Sequence, residues 1–144
     1  GGRKARVDVG DCWDQFVVTY WYPNDVIIDF SSGQFVHAFE DLCTRLHCTT
    51  GSIDTHYGGE VVVEGKSEAY RPGATTAIYQ EGAVANIQAF HAAIAAGKPI
   101  NNAQESAHST LTGVLGRMAA YQGRTITWDE MMQANEKLEA NLNL

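Results

Sequence analysis

Ala107, Leu111, Val114, Leu115, Met118 and Ala119 recur at three- and four-residue steps between Glu105 and Tyr121. That spacing predicts a helix over 104–121 with one apolar face. Gly123 follows where a left-handed helix cap belongs. Thr127 stands three residues before Glu130, the spacing of a capping box, and predicts a last helix over Asp129–Leu142 with Trp128, Met131, Met132 and Leu138 as its apolar contacts. Gly113 and Gly116 interrupt the central helix at about 1 kcal/mol each relative to alanine. Either they let another backbone pass closely or the helix is loose.

Earlier in the chain the period is two. From Asp14 to Tyr22, Phe16, Val18, Tyr20 and Tyr22 point one way and Val17, Thr19 and Trp21 the other. Pro23-Asn24-Asp25 reads as a turn, and Val26–Phe30 returns as the second arm of a hairpin. Both faces carry apolar groups, so both are expected to meet something, helices on one side and another domain or subunit on the other. Further strands are expected at Leu42–Thr50, Ile53–His56 and Glu60–Glu64. A polar loop over Gly65–Ala77 closes the strand-rich part. From Ile78 the period becomes helical, with Val84, Ile87, Phe90, His91 and Ile94 on one face and a stop at Gly97 and Pro99. Strands followed by helices predict an α+β fold, an open, largely antiparallel mixed sheet with helices packed on one face. Residues 1–13 read as a lead-in segment or cut linker, and 14–144 as one domain.

Composition narrows the function classes. The chain of 144 residues is long enough for its own core, and its hydrophobic fraction of 44% is ordinary for a globular protein. Net charge is −7, and Arg3, Lys4 and Arg6 form the single basic cluster, at a terminus expected to be loose. A nucleic-acid partner is not expected. No apolar run is long enough to span a bilayer and no charged-then-apolar leader opens the sequence, so no membrane partner is expected. Three cysteines, an odd count without framework spacing, suit a reducing compartment and hence the cytoplasm.

Cys43, His47 and Cys48 suggest metal ligands, but on a strand Cys43 and His47 lie roughly 13 Å apart and Cys48 points to the opposite face. Zinc ligands converge within about 2.3 Å of one ion, so buried cysteine as a small apolar filler is the better account, and no metal site is expected. His56-Tyr57-Gly58-Gly59 is the best local site candidate. It follows a strand, its glycines admit a close backbone approach, and His56, Tyr57 and exposed amides are donors suited to sugar hydroxyls. An ordinary hairpin turn with an aromatic lid fits the same residues. His108, near the start of the central helix, suits either a hydrogen bond to substrate or to a loop, or a half-buried structural position. His91 reads as a core histidine. Arg71 suits a surface carboxylate better than an acidic substrate. No Gly-x-Gly-x-x-Gly follows a strand, and Gly-x-Ser-x-Gly, Walker A and His-Glu-x-x-His are absent.

Taken in order, Trp13-Asp14-Gln15-Phe16, Thr55-His56-Tyr57-Gly58-Gly59, Asn86-Ile87-Gln88-Ala89-Phe90, Gly97-Lys98-Pro99-Ile100-Asn101, Glu105–Tyr121 and Ile126-Thr127-Trp128-Asp129-Glu130 resemble the substrate half of the Gfo/Idh/MocA oxidoreductase family, named for glucose-fructose oxidoreductase, inositol dehydrogenase and a rhizopine-catabolism protein. The resemblance covers most of the chain. It implies a substrate-binding and oligomerisation domain whose NAD or NADP is held by an upstream Rossmann domain, acting on a sugar or polyol derivative. It also implies a homo-oligomer formed through the sheet. The family's catalytic Glu-Lys-Pro lysine has no counterpart: Gly97 precedes Lys98-Pro99 where glutamate belongs, and the pair follows a helix end. No catalytic or cofactor-binding residue is carried over, and the chain alone is expected to be inactive. His56, Tyr57 and His108 are the candidate substrate contacts. Two other classes stay open, a non-catalytic binding or interaction module using an open sheet face and a structural dimer without ligand.

Overall fold

The computed structural model describes residues 1–34, 40–65, 69–70 and 78–138. In chain order its elements are β1 (Gln15–Tyr22), β2 (Val26–Gly33), β3 (Cys43–His47), β4 (Gly51–His56), β5 (Val61–Gly65), β6 (Ala69–Tyr70), α1 (Ile78–Ala95), α2 (Ala103–Gln122) and α3 (Trp128–Ala134). The class is α+β. The strands form two sheets, β1-β2 and β3-β4-β5-β6, with every pairing antiparallel. The single sheet expected over 14–64 is thus divided. Short turns join β1 to β2, β3 to β4 and β4 to β5, and such turns make antiparallel neighbours. Contacts cluster into two compact units, Gly1–His37 with Asn102–Leu144 and Ala38–Asn101.

In the first unit β1 and β2 pair along their whole length, from Gln15 opposite Gly33 to Tyr22 opposite Val26. Asn24 and Asp25 turn the chain at φ 63° and 58°, in the left-handed region that asparagine and aspartate tolerate best among residues with a Cβ. Phe16, Val18 and Tyr20 are half-buried on the face of β1 that meets α2. The other face stays in water, with Val17 73% and Trp21 69% exposed.

Gly123 caps α2 at φ 63°, its N–H donating to the Ala119 carbonyl. The Thr127–Glu130 capping box is complete: Glu130 N–H donates to Thr127 Oγ1 at 3.1 Å and Thr127 N–H to Glu130 Oε2 at 2.7 Å. α3 is shorter than expected. Asn135 takes φ 42° and closes it on Met131, and Met132 and Leu138, expected as contacts of a longer helix, are exposed. Residues 139–142 of the expected helix lie outside the described residues. The core is Met118, Ile126 and Met131, with Leu111, Val114, Leu115, Ala119 and Trp128 packed against it.

The start of the chain is tied down. Gly2 bridges to Gln15, and the Asp14 carboxylate, 2% exposed, accepts the N–H groups of Lys4, Ala5 and Arg6 at 2.7–2.9 Å. Burial pushes that carboxyl up, but the three backbone donors outweigh it and its pKa is lowered. Trp13 stacks on Tyr121 at 4.2 Å. The terminus expected to be loose is fastened because a buried carboxylate must be met by donors, and these residues supply three.

In the second unit β3 to β6 form an antiparallel meander. α1 ends as expected: Gly97 takes φ 64° and donates to Ile94 O, and Lys98 donates to Ala93 O, the paired bonds of a Schellman cap. α1 buries no residue, which corrects the expected packing of its stripe on a sheet. Val84, Ile87, Phe90 and Ile94 are exposed, and His91, expected in the core, is exposed too. Periodicity marks which face of a helix is apolar; it does not supply the surface that covers it.

Candidate functional site

The three candidate contacts fall in two places. His56 ends β4 and Tyr57 follows it, in the second unit; His108 lies on α2, in the first.

The His56–Gly59 turn is closed by Gly59 N–H donating to His56 O at 3.1 Å. Gly58 takes φ 70°, the value a type II turn requires at its third residue. A Cβ on Gly59 would stand 2.8 Å from that of His56, so both glycines are needed here. Tyr57 N–H donates to Leu42 O at 2.7 Å, and its ring meets Tyr79 of α1 edge-on at 5.6 Å. Its phenol is pushed up to about 12, first by the hydrogen bond with Tyr79 and then by desolvation. At neutral pH Tyr57 is a donor and not a base.

His56 sits in a ring of charge. Its Nδ1 lies 2.7 Å from Asp41 Oδ1 and its Nε2 3.2 Å from Asp54 Oδ1. Arg45 reaches Asp41 at 3.1 Å and Asp54 at 3.2 Å. The hydrogen bond to Asp41 is the largest cause raising the His56 pKa, against desolvation, and the same bond lowers that of Asp41. Desolvation pushes the Cys43 thiol up. The β3–β4 register explains the cluster, since Arg45 stands opposite Asp54 and Cys43 opposite His56. Asp54 and His56, two apart on a strand, share a face. That signal was present in the sequence, as Asp54-Thr55-His56 with Arg45 one strand away. Asp41 and Tyr79 had no such signal, because neither belongs to the ladder.

In the first unit a cleft of about 1100 Å³ opens between β1, α2 and the segment leading into α3. Tyr20, Tyr22, Leu115 and Trp128 give it apolar and aromatic walls, and His108, Ser109 and Thr112 add polar groups. Small-molecule sites are built in this way, from apolar walls with a few convergent polar groups. The His108 ring lies 5.5 Å from that of Trp128, and among the described residues its nitrogens have no hydrogen-bond partner. The Tyr20 hydroxyl donates to Thr112 O at 3.2 Å, and burial pushes that phenol up. Arg124 also lines the cleft but is committed to Gln122, Thr125 and Glu130. Tyr20, read from the sequence only as a strand residue, is a wall of the cleft.

Arg71 lies outside the described residues. Among those described, no three His, Cys, Asp or Glu side chains group to hold a metal ion, and no helix is long and apolar enough to cross a membrane. No protein-family model, curated protein or solved structure matches the chain.

Proposed function

We propose that this chain supplies the substrate-binding and oligomerisation part of an NAD(P)-dependent oxidoreductase acting on a sugar or polyol derivative, and that it turns nothing over by itself. The observation that carries the reading is the cleft beside His108. A polyol offers C–H faces and hydroxyls together, and this cleft offers aromatic walls with a histidine and hydroxyls among them. The ordered likeness of Trp13–Phe16, Thr55–Gly59 and Glu105–Glu130 to the Gfo/Idh/MocA pattern supports the same reading. The cofactor, NAD or NADP, would be held by a Rossmann domain and would carry the hydride. Three free thiols, Cys12, Cys43 and Cys48, suit the cytoplasm.

A panel of sugars and polyols tests the proposal by thermal shift. A ligand at a hundred times its dissociation constant stabilises by about 2.7 kcal/mol, a readable rise in Tm. His108→Ala should abolish the rise without lowering the Tm of the free chain by a similar amount. NADH and NADPH should give no binding isotherm. Glu105, Asp129 and Glu130 occupy the first turns of α2 and α3, where a pyrophosphate would need bare amides, and the net charge of −7 opposes a dianion. A panel that leaves the Tm unmoved at ~10 mM, or saturable dinucleotide binding at micromolar concentration, is incompatible with this reading.

A second reading, an interaction module without catalysis, is favoured by the exposed face of the hairpin. Val17, Trp21 and Ile27 stand there in water, with Trp21 opposite Ile27 in the ladder and Thr19 bonded to Asp29 at 2.8 Å. Apolar patches of this kind mark interfaces, and both readings place a symmetric homo-oligomer on this face. Analytical ultracentrifugation at ~100 μM should give a dimer, and Trp21→Glu a monomer. A wild-type chain that stays monomeric throughout rules out the oligomeric role.

A further inference from the structure

We infer that His56 is a positioning residue held as an imidazolium between Asp41 and Asp54, and that its proton fastens the Tyr57–Gly59 turn to the segment leading into β3. Nδ1 is hydrogen-bonded to Asp41 Oδ1 at 2.7 Å, and Nε2 stands 3.2 Å from Asp54 Oδ1, an ion-pair contact to a buried oxygen that has no hydrogen-bond partner among the described residues. An ionised carboxylate only accepts, and a neutral imidazole has a single N–H. One of the two contacts would then set a ring lone pair against a carboxylate oxygen. Both are satisfied only if the ring carries two protons or a carboxyl carries one. Arg45 decides between these, because it pairs with Asp41 and Asp54 together and so favours both in the ionised form. With an imidazolium the four side chains sum to zero charge; with a neutral ring they sum to −1. Among the described residues, the other titratable side chains on the neighbouring strands are Cys43, opposite His56 on β3, and Glu60, whose backbone carbonyl accepts the His56 backbone N–H at 3.1 Å. His47 and Glu64 lie further along the same sheet face.

The turn is tied to this ring mechanically. Asp41 grips the imidazole and the next carbonyl, that of Leu42, accepts the Tyr57 N–H. Two adjacent residues of the lead-in segment therefore hold two adjacent residues of the turn. Gly59 lies so close to His56 that no Cβ fits between them, so movement of His56 is passed to the turn that carries Tyr57. Loss of the ring proton leaves one N–H; kept on Nδ1 it still bonds Asp41, but without the charge that makes such a bond strong, while the Nε2 lone pair faces Asp54, so the Asp41–Leu42 grip weakens.

The pH window follows from the directions of the shifts. The His56 contribution is complete below the ordinary histidine value of ~6.5 and is lost as pH rises through its raised pKa. The Asp41 contribution is present above the ordinary aspartate value and is lost as pH falls through its lowered pKa. The grip holds between these two limits. It stands independently of the polyol reading, since both ring nitrogens are already engaged and Tyr57 is what the turn presents.

Two measurements on the full chain test it. Long-range ¹H–¹⁵N NMR of His56 should show both ring nitrogens protonated at neutral pH, with a midpoint above ~6.5 that falls in Asp41→Asn. Amide exchange of Tyr57, corrected for intrinsic base catalysis, should speed up by about tenfold for each unit by which that midpoint exceeds its value in the opened turn. Amides of the β4–β5 ladder should not follow, and His56→Gln should remove the step. A singly protonated His56 ring at neutral pH in the wild-type chain overturns the inference. So does Tyr57 protection that stays flat through the His56 titration. Should Asp41→Asn fail to fold, the wild-type titration decides alone.

Discussion

Replacing Met118 by alanine should destabilise the chain by about 2–5 kcal/mol, the range for truncating a buried methionine or leucine. Met118 is 7% exposed and packs with Ile126 and Met131, joining α2 to the segment that enters α3. The expected loss is large relative to what there is to lose. A domain of this size has about 5–15 kcal/mol in all, and among the described residues these three form the whole buried apolar core. Leu111, Val114, Leu115, Ala119 and Trp128 pack against the three, and how far they close on the space sets where in that range the loss falls. Met132, the next residue after Met131 and exposed, provides the control: Met132→Ala should change stability by less than about 0.5 kcal/mol. Urea denaturation of both variants reads the difference. Equal losses would mean that Met118 is not in the core.

Much of this core could be read from spacing alone. Leu111, Val114, Leu115 and Met118 mark the buried face of α2 in the sequence, and they do pack at the α2–α3 contact. The caps were equally legible. Gly97, Gly123 and the Thr127–Glu130 box depend on residue types at fixed offsets, and local geometry overrides little there. The same rule misled at α1. Val84, Ile87, Phe90 and Ile94 have helical spacing too, yet all four are exposed. Alanines fill much of the rest of this helix, so its sides differ little in kind and the stripe carries a weak instruction about what it should meet.

Charged residues were harder to read than apolar ones. His56 and Tyr57 were legible as a strand end and turn. Asp54, two before His56 on one strand, could be placed on its face; the partner of Arg45 could not, because it depends on which residue of β3 stands opposite which residue of β4. A one-residue slip would send Arg45 to the other face. Once the register is known, with Arg45 opposite Asp54, that side of the ring follows; Asp41, outside the ladder, does not. At the other end of the chain Arg3, Lys4 and Arg6 read as a loose basic patch. Their side-chain charge drew attention, whereas the backbone N–H groups of Lys4, Ala5 and Arg6 make the decisive contact with Asp14. Any residue but proline supplies that donor, so composition cannot reveal it.

Gly113 and Gly116 look alike in the sequence and should respond with opposite sign. Each weakens α2 by about 1 kcal/mol relative to alanine. Gly113 is exposed and a Cβ there would meet nothing within 4 Å, so Gly113→Ala should stabilise by about 0.5–1 kcal/mol. Gly116 is buried, and a Cβ there would stand 2.9 Å from Tyr20 Cζ and closer still to its hydroxyl oxygen. The room that the sequence suggests for a neighbouring backbone is filled by this side chain. The ring cannot yield by bending. It must tilt as a unit, which breaks the hydroxyl's bond to Thr112 O and disturbs a wall of the cleft. Overpacking of this kind costs about 1–3 kcal/mol, more than the helix gains from alanine, and Gly116→Val should lose more because a branched Cβ restores less helix propensity. The contact is isolated by a double-mutant cycle. Tyr20→Phe removes the offending oxygen, so it should be less harmful, or even helpful, in the Gly116→Ala background, with a coupling of about 0.5–3 kcal/mol. If the two changes simply add, or if both glycines respond with the same sign, Tyr20 is not seated over Gly116.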